Sequence, residues 1–345
     1  MGVNLKDLVL KSQINLLDLA GKSVAIDAYN ALYQFLAIIR QPDGTPLKDS
    51  AGRVTSHLSG LLYRTSNLVE MGIKVAYVFD GIPPILKGVE IRRRMKAKEK
   101  ATVKYETALA EGKIEEARVY AQATSSLKDY MEHDSKRLLT LMGLPWIQAP
   151  SEGEAQAAYM TKKGATDFCA SQDYDSLLFG TPVLVRNVTI SGRRKLPRKP
   201  VYVDVVPEII KLDKLLTELD ITREQLVDIG ILIGTDYNPK GVKGIGPKTA
   251  LKLVKEHGTL EELLQTSLKD VEFPVSPQRI REFFLQPKVT DDYALEWDKP
   301  DIEGIIDFLC KERDFSEDRV RKALEKMSKG VIEEKAKTTL DAFFG

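Results

Sequence analysis

Seven acidic residues recur along this chain, five of them in settings where a carboxylate is costly unless it binds something. They are Asp27 in SVAIDAYNALYQF, Asp80 in VAYVFDGIPP, Glu152 and Glu154 in APSEGEAQAAYM, Asp173 and Asp175 in FCASQDYDSLLFG, and Asp236 in ILIGTDYNPKG. Asp27, Asp80 and the Asp173/Asp175 pair each follow a short apolar run that reads as a strand buried on both faces. In an open α/β sheet, side chains just beyond the carboxyl ends of the strands converge on one crevice. Carboxylates in that number share a crevice in ionised form only when cations offset their repulsion. Oxygen-only ligation suits Mg²⁺ or Mn²⁺. Three His and two Cys in the whole chain leave little for a zinc cage. The chemistry implied is that of a divalent-metal site.

Singly, each acid has a plainer reading. Asp27 and Asp80 suit helix caps or turns, and Ser151-Glu-Gly-Glu154 is itself a capping-box sequence. Asp236 can be a turn residue. Asp173 and Asp175, at i and i+2 of a segment expected to be extended, fall on one face. Their mutual repulsion then asks for a cation.

Basic residues supply the opposite charge in blocks. Residues 87–104 hold eight basic side chains against two acidic, residues 186–203 six against none, and residues 238–256 five against one. With a net charge of only +1, the distribution carries the signal. A cationic surface around an anionic, metal-loaded centre is what cleavage of a polyphosphate backbone requires. Lys87 and Arg92–Arg94 follow Asp80 closely enough to reach a scissile phosphate. Tyr33, one to two turns beyond Asp27, is placed to stack on a base, although a helical Tyr also suits a core. In GVKGIGPKTALKLVKEHG (241–258), Pro247 rules out a P-loop. Gly244 and Gly246 read as a tight turn, with Pro247 opening a helix. Such a helix start can hold one backbone phosphate, with Lys243, Lys248 and Lys252 around it.

Positioning these residues requires an alternating α/β pattern. Strands are expected at 23–27, 74–80, 145–148, 167–171, 183–186 and 200–203, with helices at 28–40, 54–72 and 152–163, giving a mostly parallel sheet. The charged, Ala-rich stretch between Pro84 and Pro145 interrupts that pattern as a helical insertion. From about 205 to 330 the chain is expected to be helical, with a capping box at Thr222–Gln225. Composition is that of a soluble globular protein, with 43% hydrophobic and 29% charged residues. Two isolated cysteines fit a reducing compartment. The N-terminus lacks the apolar core of a signal peptide and has Lys6 where myristoylation wants Ser or Thr. An intracellular protein without membrane spans is expected. The final residues, KAKTTLDAFFG, are expected to be a flexible tail whose Leu340, Phe343 and Phe344 need a partner's groove to cover them.

Together, IDAYNALYQFL, YVFDGIPPILK, APSEGEAQAAYM, SQDYDSLLFG, GTDYNPKGVKGIGPKTAL and the terminal motif resemble the structure-specific 5′ nuclease family, most closely the flap endonucleases of archaea and eukaryotes. The resemblance spans essentially the whole chain. It implies a PIN-like 5′-nuclease α/β fold with a mostly parallel central sheet, a helical arch and a helix-three-turn-helix element. The implied division is 1–84 and 141–235 for the nuclease core, 85–140 for the arch and cap, 236–330 for the helical region and 331–345 for a clamp-binding tail. Asp27, Asp80, Glu152 and Glu154 match ligands of one metal, and Asp173, Asp175 and Asp236 lie nearer a second. Lys87 and Arg94 match the catalytic basic pair, Tyr33 the stacking aromatic, and Gly2 the residue beside the site after loss of Met1. The 238–256 segment matches the grip on downstream duplex, with a K⁺ ion in its loop. The implied activity is 5′-flap endonuclease and 5′–3′ exonuclease action on DNA in replication and repair. Two Mg²⁺ ions, with Mn²⁺ able to substitute, would serve a monomer tethered to a sliding clamp. Lys337 stands where the clamp box usually begins with Gln, and the chain stops without a eukaryotic-type basic extension, which points to an archaeal, nucleoid-associated protein. A PIN-like ribonuclease and a non-catalytic junction-binding scaffold are the competing classes, separable by RNA-versus-DNA cleavage.

Overall fold

Strand residues alternate between two faces, so a strand apolar at every position must be covered on both. In the computed structural model the strands among the described residues are β1 (Ser12–Gln13), β2 (Ser23–Asp27), β3 (Lys74–Phe79), β4 (Trp146–Gln148), β5 (Phe168–Ala170), β6 (Val183–Arg186), β7 (Gly192–Lys195), β8 (Tyr202–Val205) and β9 (Glu208–Lys211). The structure describes the backbone of residues 2–124, 126–190, 192–195, 202–266, 268–269 and 271–344, and their side chains except at 89, 118, 122, 123, 193–195, 202 and 331–344. Seven strands form one sheet in the order β1-β9-β6-β5-β2-β3-β4. From β6 across to β4 every pairing is parallel, while β9 and β1 add an antiparallel margin. Val24, Ile26, Val75, Tyr77 and Phe79 enter one core layer, and Ala25, Ala76 and Val78 enter the other. The expected doubly covered parallel sheet is present.

The parallel register sets the site. Asp27 lies opposite Val78 on β3, and Ile26 lies opposite Ala170 on β5. The chain segments carrying Asp80 and Asp173 therefore leave the sheet at the same edge as Asp27.

Three elements differ from the sequence expectation. The strand expected at 200–203 is not part of the main sheet: Tyr202–Val205 pairs only with Gly192–Lys195 in a separate hairpin, and residues 200 and 201 lie outside the described residues. Glu208–Lys211, expected to begin the helical region, is a sheet strand, because Ile209 and Ile210 complete the margin against β6 and β1. The last helix runs Glu317–Phe344, carrying its backbone through the segment expected to be a flexible tail. Its terminal residues KAKTTLDAFF mix good helix formers (Ala, Lys, Leu) with poorer ones (Thr, Asp, Phe). The side chains of Leu340, Phe343 and Phe344 lie outside those described.

The insertion is helical as expected. It comprises Gly88–Ala110, Ile114–Ala123 and the descending Asp129–Leu141. Its first two helices pack on each other, and Ile114–Ala123 also rests on the helix Ala28–Ile38. The descending helix is tied to the C-terminal region by Arg313, whose guanidinium donates to both oxygens of Asp134 at 3.0–3.2 Å. Both side chains are more than nine-tenths buried. Among the described residues no helix is long and apolar enough to cross a membrane.

Removing one partner of a buried ion pair strands the other in a low-dielectric interior. Arg313→Ala is expected to lower the unfolding free energy by about 3–5 kcal/mol, read from denaturant midpoints. A loss below about 0.5 kcal/mol would place the pair among ordinary surface contacts.

Candidate active site

The seven acids are delivered to one edge by five backbone segments, and each accepts from a specific donor. Asp27 ends β2 and caps the helix Ala28–Ile38 by accepting from the Asn30 amide at 2.9 Å. Cap and site readings both apply to it. Asp80 follows β3 and accepts from the Gly153 amide at 2.6 Å. The plainer capping-box reading of Ser151–Glu154 does not hold: the helix Gly153–Lys162 has Glu152 at its N-cap with no side-chain cap bond, and the cap comes from Asp80 across the crevice. Glu152 and Glu154 are thereby free of capping duty, and a Cβ at Gly153 would stand 2.9 Å from the Asp80 carboxylate.

Glu154 accepts from the Ser176 amide at 3.1 Å and from the Ser176 hydroxyl at 2.5 Å. Asp173 and Asp175 do not share an extended segment, because Tyr174 is helical and Asp175 opens the short helix Asp175–Leu178. Tertiary contacts converge them instead. The Gly2 amide donates to Asp173 at 3.1 Å, and the Val3 amide to Asp175 at 2.6 Å. Buried Val3 and Leu5 peg the N-terminus under the site, and a Cβ at Gly2 would lie 2.7 Å from the Asp175 carboxyl. Asp236 sits in a loop anchored by buried Tyr237, which packs on Phe283 and Phe284 with centroids 4.8 and 5.5 Å away. The same loop is closed by Asn238, which accepts from the Thr235 hydroxyl at 2.7 Å.

The electrostatics follow from this crowding. Burial, then repulsion from Asp80 and Asp173, pushes the Asp27 carboxyl up to about 8. Burial, then Asp173 and Asp27, does the same to Glu154. Asp175 is raised well above the carboxylate range by burial, Glu154 and Asp236. Asp80 and Glu152 are raised chiefly by burial. Two cations answer these charges. Lys87 Nζ lies 2.6 Å from Glu152 and 3.7 Å from Asp236. Burial alone would depress the Lys87 ammonium, but Glu152, Asp236 and Asp80 outweigh it and raise it. Arg94 reaches Asp236 at 2.5 Å and is braced by Glu90 at 2.7 Å.

Among the described residues no three acidic, His or Cys side chains are gathered tightly enough to form a ready-made metal cage. The donor set is nonetheless all oxygen, and the mutual repulsion at Asp27, Glu154 and Asp175 is what a hard divalent cation relieves. The residues fit such an ion.

Tyr33 is 43% exposed on the helix that begins after Asp27, so it is not a core residue. Lys243, Lys248 and Lys252 are exposed on the surface. Gly244 has φ +84°, and Gly246 is an N-cap without a side-chain cap for the helix Pro247–His257. The turn and Pro-led helix read from the sequence are therefore present. Sequence reasoning missed Asn30, Ser176 and Glu90. Only Asn30 had a signal, its place one turn beyond Asp27.

A carboxyl whose folded pKa is raised makes the folded state bind more protons, so stability is greatest below the unfolded value near 4 and falls as pH rises through the folded value. For Asp27 and Glu154 the loss spans pH from about 4 to about 8. In chelator at pH 8, Glu154→Gln is expected to raise the melting temperature above wild type, and the difference is expected to shrink at pH 5. Calorimetry at the two pH values checks both.

The chain matches the XPG N-terminal domain over residues 1–101 and the XPG I-region over residues 143–236. It is 60% identical to flap endonuclease 1 of Hyperthermus butylicus over 336 residues, covering 96% of each chain. The solved flap endonuclease-1 from Methanococcus jannaschii superposes with a TM-score of 0.76 at 45% identity, over 96% of this chain and 100% of that one. The catalytic core of Rad2 in complex with DNA substrate shares the fold at a TM-score of 0.67 and 22% identity, over 92% of this chain and 96% of that one. With its acids gathered at one sheet edge and its relatives alike along nearly their full length, the chain belongs to the flap endonuclease family of structure-specific nucleases.

Proposed function

We propose that this protein hydrolyses DNA phosphodiester bonds at the base of 5′ flaps, with 5′–3′ exonuclease action at nicks and gaps, in replication and repair. The observation that carries this reading is the convergence of seven carboxylates with Lys87 and Arg94 at one sheet edge. Two divalent ions, Mg²⁺ or Mn²⁺, held by Asp27, Asp80, Glu152 and Glu154 on one side and by Asp173, Asp175 and Asp236 on the other, would supply a nucleophile at neutral pH and offset phosphate charge. Lys87 and Arg94 leave their carboxylates to engage the scissile phosphate and stabilise its developing charge. Tyr33, exposed beside the site, stacks on a base next to the cut. The helices of 85–140 form the arch and cap that admit a single 5′ strand.

Away from the cut, the turn at Gly244 and Gly246, with Lys243, Lys248 and Lys252, grips downstream duplex through its phosphates, with a K⁺ ion among its carbonyls. Such contacts position the duplex without reading its bases, so specificity comes from the bent shape of the junction. The protein works as a monomer, and the tail carrying Leu340, Phe343 and Phe344 docks on a sliding clamp.

Asp175→Ala is expected to abolish Mg²⁺-dependent cutting of an end-labelled 5′ flap while leaving junction binding within a few-fold of wild type. Wild-type speed in that variant would sink the site assignment, and a preference for matched RNA would favour a ribonuclease. Lys87→Ala and Arg94→Ala are each expected to lower single-turnover cleavage by about 10²–10³-fold. Gel-shift affinity measured alongside separates this from lost binding.

A further inference from the structure

We propose that Asn30 is a positioning residue for Asp173, and that Gln34 and Thr189 hold its amide in the orientation this task requires; the inference rests on the metal-ion reading above. Asn30 touches two of the seven acids at once. Its backbone N–H donates to Asp27 Oδ1 at 2.9 Å, and its side-chain Nδ2 donates to Asp173 Oδ2 at 3.1 Å. A neutral amide has one donor end and one acceptor end, and nothing within Asn30 decides which end faces the acid.

Its neighbours decide it. Gln34, one turn further along the same helix, donates Nε2 to Asn30 Oδ1 at 2.6 Å, which leaves the Nδ2 end for Asp173. Gln34 Oε1 accepts in turn from the hydroxyl of buried Thr189 at 3.1 Å, which braces the Gln34 amide from its other end. Donation runs one way from Thr189 through Gln34 and Asn30 to Asp173, joining the segment between β6 and β7 to the end of β5. Flipping either amide would set two acceptors or two donors face to face. Asp173 also accepts the Gly2 amide on its other oxygen at 3.1 Å, so Asn30 and Gly2 together fix how the carboxylate is turned.

Outer partners of metal ligands, when removed, typically cost about 10–100-fold in metal affinity or activity. Asn30→Ala deletes the contact to Asp173, keeps the backbone cap on Asp27 and favours the helix. Calorimetric titration of the DNA-free protein with Mn²⁺ is expected to show about 10–100-fold weaker binding in this variant. The Mg²⁺ concentration for half-maximal flap cleavage is expected to rise in step, with most of the rate restored at saturating Mg²⁺. A merely structural role would depress the rate at every Mg²⁺ concentration. Gln34→Ala and Thr189→Val should weaken Mn²⁺ binding less, and they carry the test if Asn30→Ala does not fold. Asn30→Ala with Gln34→Ala should be no worse than Asn30→Ala alone, because both act along one path. Unchanged Mn²⁺ affinity in Asn30→Ala, or fully additive losses, would overturn the inference. Failure of the wild type to bind Mn²⁺ would instead overturn the metal reading, and the inference with it.

Discussion

Like charges repel most strongly where water is excluded, and this molecule is organised around holding seven carboxylates at the edge of one sheet. The central strands oppose that repulsion by being apolar on both faces, so Ile26, Val78 and their neighbours bury with no polar cost. Beyond the strands each acid is given a specific donor. Asn30 and Gly153 amides serve Asp27 and Asp80, Ser176 serves Glu154, and the pegged N-terminus serves Asp173 and Asp175. Gly2 and Gly153 stand where a side chain would collide with those same carboxylates. Stability is thus given up at the site and recovered in the sheet and helices around it.

Asp236 joins the parts of the molecule. Its loop follows the helix Arg223–Ile233 and leads to the Gly244 turn, and its carboxylate accepts from Arg94 on the first insertion helix. Lys87, at the foot of that helix, lies between Glu152 and Asp236. Glu90 draws Arg93 and Arg94 together, so the basic face of the insertion has a set orientation. Lys87 and Arg94 are held there by the acids of the site.

Much of the fold was legible from local pattern. The run VAYVF has no charged position to offer solvent on either face, so a doubly covered parallel strand was the natural reading. Thr222–Gln225 formed its capping box, and Pro247 opened its helix, because those signals act over three or four residues. At Ser151–Glu154 the local capping-box pattern goes unused, for the converse reason. Asp80, far away in sequence, reaches the helix start first and removes the need for a local cap. Glu208–Lys211 became a strand because the sheet margin needed covering, which no window around Ile209 reveals.

The sequence by itself determined which residues are acidic, which runs must be buried, and therefore that the acids following β2, β3 and β5 meet at one edge. Residue type and alternation are local properties, and parallel register carries them to the same end of the sheet. Only the tertiary structure decided how each acid is held. Asp173 and Asp175 converge through the backbone of Gly2 and Val3, and Asn30 turns its donor to Asp173 because Gln34 and Thr189 occupy the other ends of the chain of amides. Those partners lie up to 172 residues away along the chain, and a hydrogen bond across that separation exists only once the sheet has brought its ends together.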